Sequence, residues 1–93
     1  MKIEFDPAKR ELVLRERGLG LADAGELLLG IRLDELDERF DYGEDRWYSL
    51  GLLKGEVVAC VWVDLEADRV RIITMWKART HEQKKFIEFW EGV

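Results

Sequence analysis

Cysteine, proline and histidine are nearly absent: one of each in 93 residues. The lone Cys60 excludes an internal disulfide and a cysteine-built zinc cage, and it reads as a buried thiol of a cytoplasmic protein. His81 has no second histidine and no cysteine near it in sequence, which argues against a metal site; its place at a helix start reads as surface. Long apolar runs are missing too, none approaching the roughly 18 residues of a membrane helix. The first six residues carry Glu4 and Asp6 and no hydrophobic stretch, so they do not read as a secretory signal. Positive charge is in deficit, with 15 Lys and Arg against 20 Asp and Glu, a net of −5. That balance disfavours a nonspecific grip on nucleic acid through bulk charge.

What is present is a globular composition, 47% hydrophobic and 38% charged, in a length that allows one domain over residues 1–93. The charge is uneven. Residues 1–45 hold 7 bases and 13 acids, and residues 46–93 hold 8 bases and 7 acids. Seven acids fall within 34–45, against Arg39 alone. Such a run is a solvated loop or sheet edge by default; the alternatives are a docking strip for a basic partner or a divalent-ion site.

The patterning predicts β-α-α-β-β-β-β-α. Lys2 to Phe5 reads as a strand. Asp6-Pro7 then reads as an N-cap and first helical residue, with Gly18 as the stop. A second helix is expected over Leu21 to Leu29, and an edge strand over 31–36. Residues 46–53, 56–64 and 69–75 read as sequential antiparallel strands. Lys54-Gly55 makes the first tight turn, and the doubly apolar run Val57 to Val63 lies inside the sheet. A last helix is expected from Thr80, capped by Thr80 with Gln83, with Phe86 and Trp90 packed on the sheet. The whole is an α+β domain, an antiparallel sheet with two N-terminal helices and one C-terminal helix packed on it.

Two features carry chemistry. Arg69 and Arg71 share a strand face, Lys77 and Arg79 follow at the strand exit, and Arg46 joins them if its strand is a neighbour. Convergent cations of this kind bind phosphate; the alternative is that each pairs with a surface acid. Trp76 lies beside Lys77 and Arg79, and an aromatic among bases stacks a nucleobase or packs against protein. No cofactor and no metal are expected.

Taken in order, these residues resemble the BrnT family of type II toxin–antitoxin toxins. The matching segments are Phe5-Asp6-Pro7-Ala8-Lys9, Gly18 with Ala24-Gly25-Glu26, Gly43-Glu44-Asp45-Arg46, Gly51, and Arg71-Ile72-Ile73-Thr74-Met75-Trp76-Lys77-Ala78 followed by Glu82. The resemblance implies a RelE-like fold, ribonuclease activity that inhibits translation, a BrnA-like antitoxin partner, and an RNA substrate. It allows a homodimer or a toxin–antitoxin heterotetramer, and no membrane. By position it names Lys9, Arg46, Arg71, Lys77 and Glu82 as catalytic candidates, with Trp76 and Arg79 as substrate-binding ones. The chain departs from the family pattern at four places. Trp76 stands for an Arg, Thr74 for a Ser, Glu16-Arg17 for Lys-His, and Val13 for an Asn. Two functions are therefore open: a metal-independent endoribonuclease, or a catalytically weakened module that holds an antitoxin or other protein.

Overall fold

The computed structural model describes residues 1–93. Strand β1 (Lys2–Phe5) ends at Asp6, whose carboxylate accepts the Ala8 N–H at 2.9 Å and so caps helix α1 (Pro7–Arg17). Pro7 loses nothing at the first helical position, where the N–H would have no intrahelical partner. Gly18 ends α1 at φ 68°, a backbone region that strains any side chain with a Cβ. A single 3₁₀ turn (Leu21–Asp23) then leads into the short helix α2 (Ala24–Leu29). The one helix expected there is thus two pieces, and both point apolar residues inward: Leu21, Ala24, Leu27 and Leu28 are buried.

The remaining elements are β2 (Arg32–Leu36), β3 (Trp47–Leu53), β4 (Glu56–Glu66), β5 (Arg69–Lys77) and helix α3 (Thr80–Glu91). The five strands form one sheet in the order β1-β5-β4-β3-β2. β4 is its centre, as the run Val57 to Val63 requires: a strand buried on both faces has no polar side to show. Lys54 and Gly55 turn the chain at φ 51° and 80°, both in the left-handed region, and a two-residue hairpin of that hand matches the twist of its strands.

Two features of the sheet correct the sequence reading. The sheet is mixed, because β1 pairs parallel with β5 from Lys2↔Arg69 to Phe5↔Ile72. Nothing within four residues of β1 states its direction; the intervening chain acts as the long connection that a parallel neighbour needs. A register shift opposite Val61 and Trp62 leaves Ile73 without a partner, so Ile72 pairs with Trp62 and Thr74 with Val61. Simple alternation puts Ile72 and Thr74 on one face, whereas the extra residue sends them to opposite faces.

Helices cover both faces. α1 and α2 enclose the larger core, which includes Val13, Leu21, Leu27, Trp62, Ile72 and Met75. On the other face Phe86 of α3 packs on Leu50 and Ala59. Trp90, expected beside it in the core, is 43% exposed; it leans on Phe86 at a ring separation of 5.7 Å without reaching the sheet. The start of α3 also differs. Arg79 is the N-cap and Glu82 closes the capping box, one residue earlier than the expected pair Thr80 and Gln83. Glu82 is buried and needs the backbone donor, whereas Gln83 is exposed.

Phe86→Ala is expected to destabilise the fold by about 3–5 kcal/mol and Trp90→Ala by less than half as much, read by urea denaturation. Gly51→Ala is expected to cost about 1–3 kcal/mol, because a Cβ there meets the buried Leu27 Cγ at 2.9 Å.

Candidate functional site

Trp76 leaves β5 on the α3 face, opposite Ala59 of β4. Tyr48 of β3 reaches the same face, and the two rings lie 6.0 Å apart. Both aromatics carry a polar hydrogen, and both spend it on one carboxylate. The Tyr48 hydroxyl donates to Glu82 Oε2. The Trp76 indole N–H donates to Glu82 Oε1 at 3.1 Å. The backbone N–H of Arg79 donates to the same oxygen at 2.9 Å, and the Arg79 guanidinium stands 3.7 Å away. Glu82 is only 3% exposed. Burial pushes its pKa up, but the Arg79 N–H, the Tyr48 hydroxyl, the Trp76 indole and the Arg79 charge together outweigh that and hold the carboxyl below its ordinary value. Tyr48 moves the other way. Its own burial, and next its bond to Glu82, raise its pKa, so it stays protonated and donating.

These residues form one wall of a cleft. The opposite wall is the end of β2 and the segment after it, where Glu35, Asp37, Glu38 and Arg39 line the opening. Arg39 is held by two 2.9 Å bonds to Asp37, which also accepts from the Tyr42 hydroxyl at 3.2 Å. The Arg39 bond, followed by the backbone N–H and charge of the same residue, keeps the Asp37 pKa low against its burial. Glu35 pairs with Lys85 of α3. Glu38 alone among the cleft carboxylates has no side-chain hydrogen bond and no ion pair. Above the Trp76 ring, the guanidinium carbons of Arg79 and Arg39 lie 5.4 and 6.0 Å from its centroid. The cleft therefore holds an aromatic flanked by two cations. No group of three or more His, Cys, Asp or Glu side chains is arranged to hold a metal ion.

The structure brings together Trp76, Arg79 and Glu82 and separates the other candidates. Arg46 lies over the Tyr42 ring at 4.1 Å and pairs with Glu44 at 3.2 Å. Lys77 pairs with Glu56 at 3.7 Å. Arg71 stands opposite Val63 and Lys77 opposite Val58, an odd separation along β4, so the two face opposite sides of the sheet. Arg71 instead shares a shallow depression with Lys9 and Asp6, and neither cation has an acidic partner. Arg69, grouped with them in the sequence, pairs with Glu4 at 3.1 Å. Sequence reasoning missed Tyr48, Arg39 and Glu38. Tyr48 looked like one more apolar-face residue beside Leu50 and Leu52. The signal for the other two was there: one arginine within a run of seven acids marks a place where that charge is held.

Three comparisons bear on the chain. The family profile described as "Ribonuclease toxin, BrnT, of type II toxin-antitoxin system" matches residues 5–82. The crystal structure of the ribonuclease toxin BrnT from Brucella abortus is similar in fold, with a TM-score of 0.65 and 24% identity over 86% of this chain and 99% of that one. No curated protein matches the chain in sequence.

The depressed Glu82 pKa has a pH consequence. The folded state favours the ionised carboxylate, so the unfolded state binds more protons as pH falls, and the stability Glu82 contributes is lost on acidification through its folded pKa. Glu82→Gln is expected to cost about 1–3 kcal/mol at neutral pH, where it leaves donors poorly matched. Urea midpoints measured across a pH series should show that gap closing only below the ordinary carboxylate range.

Proposed function

The chain belongs to the BrnT family of ribonuclease toxins of type II toxin–antitoxin systems, and from that premise we propose that it is an endoribonuclease acting at the Trp76 cleft. The observation that carries the reading is the ring of Trp76 flanked by the guanidiniums of Arg79 and Arg39. Aromatic stacking and charge-assisted phosphate contacts are the two means by which proteins hold unpaired RNA.

Cleavage of this kind needs no metal. The 2′-oxygen attacks the adjacent phosphorus, the bond from phosphorus to the 5′-oxygen breaks, and the products carry a 2′,3′-cyclic phosphate and a 5′-hydroxyl. Arg79 and Arg39 offset the charge that builds on the phosphoryl oxygens. Glu38, the unpartnered cleft carboxylate, takes the proton of the 2′-hydroxyl; water protonates the departing 5′-oxygen. Glu82 is a positioning residue: its bonds are spent on Tyr48, Trp76 and Arg79, which it holds in place. Lys9 and Arg71, which form no ion pair, contact the RNA backbone beyond the scissile bond. Arg46 and Lys77 pair with Glu44 and Glu56 outside the cleft and take no part in the reaction. The action is cytoplasmic, it inhibits translation, and a BrnA-like antitoxin opposes it.

One observation favours a second reading. The cleft wall carries four carboxylates, Glu35, Asp37, Glu38 and Glu82, against two guanidiniums. That balance repels a polyanion, as it would in a family member whose catalysis has weakened and whose remaining task is to hold a protein.

The test is an assay of the purified chain on single-stranded RNA. Arg79→Ala and Glu38→Gln are each expected to slow cleavage by roughly 100-fold. Arg71→Ala is expected to slow it about threefold, with a weaker salt dependence. Lys77→Ala should match the unchanged chain. Equal rates for Arg79→Ala and the unchanged chain would remove the cleft as the site. No cleavage by the unchanged chain would put the second reading first.

A further inference from the structure

The sheet has two ends, and they are not alike. At one end β1 is four residues long and its charges, Lys2 and Glu4, cancel. Where β5 runs on past β1, Arg17 from α1 closes the exposed edge by donating to Met75 O at 2.8 Å and Thr74 Oγ1 at 2.9 Å. At the other end nothing closes β2. The Asp37 N–H donates to Arg46 O at 2.7 Å. By antiparallel alternation Glu35 and Leu33 also face β3, so Leu36, Asp34 and Arg32 turn their N–H and C=O groups outward. Such a row is a template for another strand. Around it the apolar side chains of Ile31, Leu36 and Phe40 are 47%, 40% and 69% exposed.

The charge around this edge decides what it accepts. Residues 32–46 carry seven carboxylates against three guanidiniums, and Glu38, Asp41 and Asp45 have no ion pair. A second copy pairing through β2 would bring two acidic strips together, which like-charge repulsion opposes. An RNA strand lying along the strip outside the cleft is opposed for the same reason. We propose that the free edge of β2 and the acidic strip after it dock an extended, basic segment of a protein partner, which adds as a sixth strand. Backbone pairing supplies the register, Leu36 and Phe40 take apolar side chains, and the strip takes lysine or arginine. β2 ends at the mouth of the Trp76 cleft, where Glu35, Asp37 and Glu38 line the opening. A segment continuing along the strip therefore crosses the mouth and excludes RNA. The docking claim stands without the cleavage reading, since it concerns only the edge and its charge.

The test uses the full chain, without RNA. A synthetic peptide alternating lysine and valine, and a control alternating glutamate and valine, are titrated against it at low ionic strength. The lysine peptide is expected to bind, the glutamate peptide not. The double variant Asp41→Lys, Asp45→Lys should weaken binding about tenfold with its melting temperature nearly kept, because both side chains are exposed and in no ion pair, and Asp41 gives up only one exposed bond, from the Gly43 N–H at 3.0 Å. Leu36→Pro removes one outward N–H, a change that edge strands tolerate, and should weaken binding as well. Amide hydrogen exchange at Asp34 and Leu36 should slow in the complex. The proposal is overturned if the lysine peptide fails to bind, or if both peptides bind equally. It is equally overturned if binding leaves those amides unprotected, or if the chain itself dimerises through β2.

Discussion

A buried carboxylate needs donors, and Glu82 draws them from three elements. Removing an ionised group from water is tolerable only when hydrogen bonds and opposite charge replace the lost hydration. Here β3 supplies the Tyr48 hydroxyl, β5 supplies the Trp76 indole, and the start of α3 supplies the Arg79 N–H and guanidinium. The requirement explains why α3 begins where it does, why Trp76 and Tyr48 lie side by side, and why Arg79 stands over the Trp76 ring. The cleft follows from this one burial. The apolar contact of Phe86 with Leu50 and Ala59 holds α3 down, but it does not set the geometry of the cleft.

Two of the positions at which the chain departs from the pattern that the resemblance implies are in contact. Arg17 and Thr74 bond to each other, so a change in the first helix meets a change in the last strand at the exposed edge of β5. Val13 is 2% exposed within the larger core, where an apolar side chain is stabilising and a lone amide is not. Trp76 provides an N–H to the same carboxylate that Arg79 faces. The cleft offers one large ring with two guanidiniums over it, an arrangement that suits a base held by its ring.

Much of the fold was legible because its signals are local. The Asp6-Pro7 start, the Gly18 stop, the Lys54-Gly55 hairpin and the doubly apolar β4 each depend on a few neighbouring residues. What was hidden depends on distant ones. The parallel seat of β1 is chosen by packing across the chain, and the unpaired Ile73 is visible only against β4. Trp90 follows Phe86 at helical spacing, yet of the two only Phe86 is buried against the sheet. The site divides in the same way. Trp76, Arg79 and Glu82 lie within seven residues and were each candidates, though in two separate groups, whereas Tyr48, Arg39 and Glu38 come from elsewhere in the sequence. The basic group Arg46, Arg71 and Lys77 failed to converge because spacing does not report a bulge, nor the acids Glu44 and Glu56 that claim two of the three.

The proposed RNA site is the Glu82-anchored cleft and not the scattered cations. A nuclear magnetic resonance titration tests it, with a short single-stranded RNA that cannot be cleaved because its 2′-hydroxyls are methylated. The Trp76 indole N–H and the Arg79 and Arg39 side-chain signals are expected to move first and furthest, while the Trp90 indole and the Lys77 signals stay still. Largest shifts at Lys77 or Arg46, with the Trp76 indole unmoved, would contradict it.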